Sequence, residues 1–311
     1  MKTVLISGCC GFIGQNLVNE LSKNYNTIGI DNFVSSNRGV LKKLQTLKNF
    51  KFIESDIIDL SAIDDKIDYI FNLACPASPP TYQAHPIFTL ETNFIGTHNL
   101  LKIAKKNNSI FIQASTSEVY GDPEIHPQVE AYRGNVNTIG ERSCYDEGKR
   151  IAETLCYEYR KKYNINTRIV RIFNTYGPGM DPLDGRVISN FMVNTINKTP
   201  LIIYGDGSQT RSFCYIDDMI DALIKSMNTD FDSPINLGND NEISLNELAE
   251  IFVKKYNADK IEYSISKEDD PKVRKPAIER ADQILKWSPS TLLIHGLDET
   301  YKYFKSIIKW V

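Results

Sequence analysis

Short apolar runs alternate with amphipathic stretches along most of this chain. Thr3-Val4-Leu5-Ile6-Ser7 has the continuous apolar character of a buried strand. From Gly14 to Leu21 the period changes to that of a helix, with Ile13, Leu17, Val18 and Leu21 on one side. Thr27-Ile28-Gly29-Ile30 reads as the second strand and ends at Asp31. Phe50-Lys51-Phe52-Ile53 reads as the third and stops before Asp56, and Tyr69-Ile70-Phe71-Asn72-Leu73 as the fourth. Helical spacing resumes near Phe88 and runs towards Ala104. The strand Ser109-Gln113, a long helix from Ser143 to Lys162 striped by Ile151, Leu155 and Tyr159, and the strand Thr167-Ile172 follow. Such alternation predicts an α/β fold, a doubly wound parallel sheet of Rossmann type covered on both faces.

After residue 173 the pattern becomes irregular. Asn174-Gly179 and Asp181-Gly185 read as surface loop. The alternation returns in Asp217-Ser226 and Ile235-Leu237, and the helices Ser244-Tyr256 and Leu297-Ile308 read as part of a smaller lobe. The expected division is a dinucleotide-binding domain over 1–173, rejoined by 215–240, and a substrate lobe made of 174–214 and 241–311.

Composition narrows the class. A chain of 311 residues with 41% apolar residues suits a soluble globule of one large domain with a lobe. The net charge of -3 gives no reason to expect nucleic acid or an anionic membrane as partner. Six scattered cysteines without a CxxC pair suggest neither a disulfide framework nor a metal site. A reducing compartment follows as the expectation. Met1 leads straight into the first strand, and no apolar run is long enough to span a bilayer, so a cytoplasmic protein without an anchor is expected.

Gly8-x-x-Gly11-x-x-Gly14, with Phe12 and Ile13, lies between the first strand and the first helix. There three glycines permit a tight turn, close approach of a pyrophosphate to the backbone, and close helix packing. The diphosphate would then meet the free N–H groups of a helix start. Asp31, ending the second strand, is placed to accept from both adenosine ribose hydroxyls and to repel a 2′-phosphate, which favours NAD. Asp56 and Ile57 after the third strand, and Leu73 and Ala74 at the end of the fourth, are further cofactor candidates. Taken alone, each has a bland alternative: a strand-end turn.

Tyr145 and Lys149 lie one helical turn apart. A free phenol is a poor base at neutral pH. A neighbouring ammonium favours its phenolate, and the same lysine could hold the nicotinamide ribose. The pairing gains meaning from Ser115-Thr116-Ser117-Glu118, which supplies hydroxyls just past the strand Phe111-Gln113.

Together these motifs resemble the extended short-chain dehydrogenase/reductase family that acts on nucleotide sugars, and within it the branch that decarboxylates UDP-glucuronate. The resemblance covers nearly the whole chain. It is strongest over Ala114-Pro127, Cys144-Glu153, Arg171-Pro178, Asp184-Val187, Tyr204-Arg211 and Asp269-Pro276. It implies Tyr145 as base, Lys149 as its partner, Thr116 as the hydroxyl on the sugar O4, and Ser117-Glu118 in place of the Asp-Glu pair of the dehydratases. It implies NAD, with Asn32, Asn93 and Thr175 added to its contacts. UDP-glucuronate and UDP-xylose would be held by Ser78, Tyr82, Glu118, Asn174, Arg186, Asn190, Gly205, Gln209, Arg211 and Arg274. A homodimer paired through the helices containing Leu90-Leu101 and Ile151-Tyr159 is also implied.

The chain departs from that family's pattern between Tyr132 and Glu141, where a Trp, a His and two prolines are replaced. This puts loop packing in question and removes no catalytic group. Two alternatives remain open: a UDP-sugar 4-epimerase or a decarboxylase that releases a 4-keto pentose, and a sugar-nucleotide binding protein without turnover. Tyr145, Lys149 and Thr116 are all retained, which counts against the last.

Overall fold

The computed structural model describes residues 1–265 and 273–308. The Asp269-Lys272 part of the quoted motif and residues 309–311 of the lobe lie outside the described residues.

The chain begins β1 (Thr3–Ser7), α1 (Phe12–Leu21), β2 (Asn26–Asp31), α2 (Arg38–Leu44), β3 (Phe50–Glu54) and β4 (Tyr69–Asn72). It continues through α3 (Pro79–Ala84), α4 (Pro86–Glu91), a π-helical turn (Thr92–Gly96) and α5 (Thr97–Asn107) to β5 (Ile110–Thr116). A 3₁₀ turn (Ser117–Tyr120), α6 (Ser143–Tyr163), β6 (Thr167–Ile172) and β7 (Thr175–Tyr176) follow. Seven parallel strands form the main sheet in the order β11-β6-β5-β4-β1-β2-β3, with β11 being Ile235–Leu237. Strand order reverses between β1 and β4, and a doubly wound sheet opens a crevice there at the carboxyl ends of its strands.

The two faces are covered differently. Leu17, Val18 and Leu21 of α1 pack with Leu41 and Leu44 of α2 in a core that continues into the lobe through Phe191, Phe252 and Phe304. The other face buries Leu100, Leu101 and Ala104 of α5 with Phe111 and Cys156. Truncating a fully buried leucine such as Leu17 to alanine costs ~2–5 kcal/mol.

One expectation changes. Thr175 and Tyr176, read as surface loop, are buried and form a short parallel pair with Cys214 and Tyr215. The buried face of α6 carries Tyr145, Asp146, Gly148, Lys149, Ala152 and Cys156, while of the apolar stripe Leu155 and Tyr159 are partly buried against the core and Ile151 is exposed. Among the described residues no helix is long and apolar enough to cross a membrane.

Candidate active site

The glycine turn is fixed by sterics. Gly8 has a φ of +70°, and a Cβ there would lie 3.0 Å from the Ala74 backbone. At Gly14 a Cβ would come within 2.0 Å of the Gly8 carbonyl oxygen, so the start of α1 rests directly on the turn. Gly11 caps α1 without a side-chain bond, leaving the helix-start amides free for an anion. Asp31 steadies the turn: its carboxylate accepts from the Cys10 amide at 2.9 Å, the Ser36 hydroxyl at 2.7 Å and the Phe33 amide at 3.0 Å.

A cavity of about 1020 Å³ opens above this turn and runs into the lobe. Its wall includes Gly8, Gly11, Phe12, Ile13, Gly14, Leu73, Thr116, Tyr145, Lys149 and Thr175 on the sheet side. Ser78, Tyr82, Asn174, Arg186, Asn190, Gln209, Arg211 and Arg274 complete it towards the lobe. A second cavity of about 70 Å³ shares Gly8, Gly11, Leu73 and Cys75 with the first, and Asp31, Asn32, Asp56, Ile57 and Ala74 line it. Asn32 donates to the Asp56 carboxylate at 2.7 Å, which ties the ends of β2 and β3 together. A glycine cradle, a helix start and an acid at the tip of β2 fit a dinucleotide.

Two predicted residues are off the wall. Asn93 is buried beneath α6, where its amide donates to Cys75 Sγ and the Thr89 carbonyl, and it packs where a Gly148 Cβ would stand. Gly205 ends β8 (Leu201–Tyr204), turned at a φ of +81°, with its amide donating to Ser264.

Helix α6 sets Tyr145 and Lys149 on one buried face. Lys149 Nζ donates to the Ala114 carbonyl at 2.9 Å and stands 5.8 Å from the Tyr145 ring centroid. Tyr82 stacks on Tyr145 at 5.2 Å, with 11° between the rings. Burial pushes the Tyr145 phenol up and Cys75 adds to this, while Arg186 and Thr116 pull it down. Burial outweighs both, so the balance favours the neutral phenol.

Glu118 lies at the centre of the charge network. One carboxylate oxygen accepts from Arg142 and the other from Arg274, and Arg274 also donates to Ser117 Oγ at 3.0 Å. Burial alone would raise this carboxyl; Arg274 and then Arg142 outweigh it and hold it down at about 2. Thr116 accepts from the Glu118 amide at 3.3 Å, so the hydroxyl and the acid are positioned by one turn.

The lobe brings the other cations. β9 (Thr210–Ser212) and β14 (Val273–Arg274) pair in parallel with Arg211 beside Arg274. Arg186 caps α7 (Val187–Asn197) and reaches back to donate to the Ala77 carbonyl at 2.7 Å. Asn190 donates to Gly185, Gln209 to Tyr204, and the Asn174 carbonyl accepts from Cys214. Ser78 caps α3 in position and exchanges a hydroxyl bond with Thr81, and the Thr175 hydroxyl donates to Phe173.

Sequence reading missed Arg142 and Asp146. Their spacing of four residues at the start of a helix is the signal that could have paired them. Cys9, Cys10 and Asp31 bring three potential metal donors together, all buried. The Cys10 partner and burial push the Cys9 thiol up.

Residues 4–238 match the NAD dependent epimerase/dehydratase family. UDP-glucuronic acid decarboxylase 4 of Arabidopsis thaliana is 45% identical over 304 residues, 97% of this chain and 68% of that protein. UDP-glucuronic acid decarboxylase 1 of Danio rerio is 44% identical, over 97% of this chain and 72% of that one. Among solved structures, the UDP-glucuronic acid 4-epimerase of Bacillus cereus, in complex with UDP-glucuronic acid and NAD, superposes with a TM-score of 0.87. It is 30% identical, over 98% of this chain and all of that chain. The UDP-glucose 4-epimerase of Thermotoga maritima gives a TM-score of 0.91 at 26% identity, over 99% of this chain and 100% of that one. With its glycine turn, its Tyr145–Lys149 helix face and these relatives, the chain belongs to the NAD dependent epimerase/dehydratase family.

Proposed function

We propose that this protein decarboxylates UDP-glucuronate to UDP-xylose and carbon dioxide through a 4-keto sugar, with NAD regenerated in each turnover. The observation that carries the reading is Glu118, ionised between Arg142 and Arg274, on the same turn as Thr116 and facing the cavity of Tyr145.

Gly8, Gly11, Phe12, Ile13 and Gly14 would hold the pyrophosphate, Asp31 and Asn32 the adenosine ribose, and Lys149 the nicotinamide ribose. Asp56, Ile57, Leu73, Ala74 and Thr175 would complete that site, with Asn93 supporting it from below. Bound NAD supplies a hydride acceptor at C4 and a positive charge beside the phenol. Tyr145 then takes the O4 proton while Thr116 hydrogen-bonds that oxygen. Once C4 is a ketone, the C5 carboxylate is beta to a carbonyl. Its departure as carbon dioxide leaves an electron pair that the ketone oxygen accepts as an enolate. A proton from solvent reaches C5, and Tyr145 returns its proton to O4 as the hydride taken from C4 is given back to it. Ser117, Glu118 and Arg274 orient the uronate end. Ser78 and Tyr82 lie beside it, and Arg186, Arg211, Asn174, Asn190 and Gln209 serve the diphosphate and uridine end, with Gly205 turning the chain behind them. Arginine forks suit such oxygens.

The division into a dinucleotide domain (1–173 with 215–240) and a sugar-nucleotide lobe follows the same reading. So does a homodimer paired through α4, the π-helical turn, α5 and α6, supported by the exposed Ile87 and Leu90 on α4, Phe94 on the π-helical turn and Ile151 on α6. A cytoplasmic location is supported by six cysteines that are all free thiols.

The test is incubation with UDP-glucuronate and no cofactor beyond what copurifies. The expected result is UDP-xylose, carbon dioxide and little free NADH. The similar 4-epimerase structures favour a second reading, in which no gas forms and the product keeps its carboxylate. Carbon dioxide accompanied by free NADH and a keto sugar would indicate an oxidative decarboxylase.

A further inference from the structure

Asp146 follows Tyr145 on α6 and is 6% exposed, and neither the glycine turn nor the proton-transfer steps use it. Its Oδ1 is buried and has no hydrogen-bond partner among the described residues. Buried carboxylate oxygens are normally hydrogen-bonded, so an unpartnered Oδ1 one helical turn from Arg142 needs a reason. Arg142 and Arg274 are engaged elsewhere: each donates to Glu118. The groups that act on the Asp146 carboxyl come from several elements. Glu118 stands on the 3₁₀ turn, Arg274 on β14, and Arg142 and Glu147 on or beside its own helix. Its charge is felt in turn by Tyr82 of α3 and by Cys144.

We propose that Asp146 is a positioning residue that sets the charge of the uronate end of the site. With its proton on, the arginines around Glu118 keep a net positive charge for an incoming sugar carboxylate. With its proton off, one unit of that charge is cancelled. Burial and the Glu118 charge push the Asp146 carboxyl up to about 7, so the switch falls in the neutral range. This rests on the decarboxylase reading for the identity of the ligand, a nucleotide sugar with a carboxylate at C5. Affinity for the uronate should fall as pH rises, whereas affinity for the same nucleotide with a neutral pentose should not.

The test measures binding with the NAD-loaded enzyme carrying Tyr145→Phe, in which turnover is too slow to deplete UDP-glucuronate during the measurement. Dissociation constants for UDP-glucuronate and UDP-xylose are compared from about pH 6 to about pH 8.5. The ratio of the two should rise about tenfold across that range. In the double variants Tyr145→Phe/Asp146→Asn and Tyr145→Phe/Asp146→Ser the ratio should stay flat. A flat ratio with Asp146 present overturns the proposal whether or not the double variants fold, and so does an equal rise in a folded double variant. Carbon dioxide release by the unmodified enzyme is scored separately. Gas with a flat ratio rejects the Asp146 role alone. A titrating ratio without gas rejects decarboxylation and leaves a pH-sensitive uronate site. Absence of UDP-glucuronate binding rejects both.

Discussion

Tyr145 carries the sharpest prediction. Its phenol is buried and pushed up by its surroundings, so without a bound cation it keeps its proton and little phenolate is present to act as base. Tyr145→Phe should lower turnover ~10²–10⁴-fold while circular dichroism and Tm stay near normal, because only an oxygen is lost. Glu118 makes a prediction about acid. Its folded carboxyl is depressed from 4.5 to about 2, so its stabilisation is present above pH 4.5 and is lost as pH falls through about 2. The linkage is worth about 3 kcal/mol at neutral pH. Thermal melts from about pH 5 to about pH 2 should show a shallower loss of Tm for Glu118→Gln than for the unmodified protein. An equal slope would mean that the two arginines do not hold this carboxylate as described. Both residues stood out in the sequence, because each belongs to a short motif. Arg142 and Asp146 did not, since their roles come from burial and from contacts that a linear reading does not supply.

At the level of elements, period and punctuation carried most of the fold. Continuous apolar runs marked β1, β4, β5 and β6 because strands covered on both faces need no polar side. The short pair β7 and β10 (Cys214–Tyr215) was missed, since two residues have no period. The buried face of α6 was not legible as an apolar stripe, because it is occupied in part by Tyr145, Asp146 and Lys149, which a hydropathy pattern counts as polar. The turn before α1 was legible because its glycines stand between an apolar strand and an apolar-faced helix. Gly14→Ala would drive a methyl into the Gly8 carbonyl, and the forced shift should cost ~1–3 kcal/mol. Lower Tm together with loss of copurifying NAD is the expected result. A variant that keeps its NAD and its Tm would show that the turn can yield.

The whole molecule joins the paired arginines of the lobe to a sheet built mostly from the first two thirds of the chain. If the exposed faces of the π-helical turn and α6 meet a second copy, Phe94→Glu with Ile151→Glu should give a monomer by sedimentation. Because α6 also carries Tyr145 and Lys149, turnover should fall with it. An unchanged sedimentation coefficient would remove those helices from the interface. The contact between Glu118 and Arg274 spans 156 residues. During synthesis the acid and its neighbour Arg142 leave the ribosome long before the second guanidinium exists. Until β14 arrives, the nascent sheet must keep Glu118 hydrated or protonated, and its reaction centre stays unfinished. Addition of this late strand thus couples completion of the polypeptide to acquisition of a competent centre, and a product truncated before it would be inert even with every sheet strand in place.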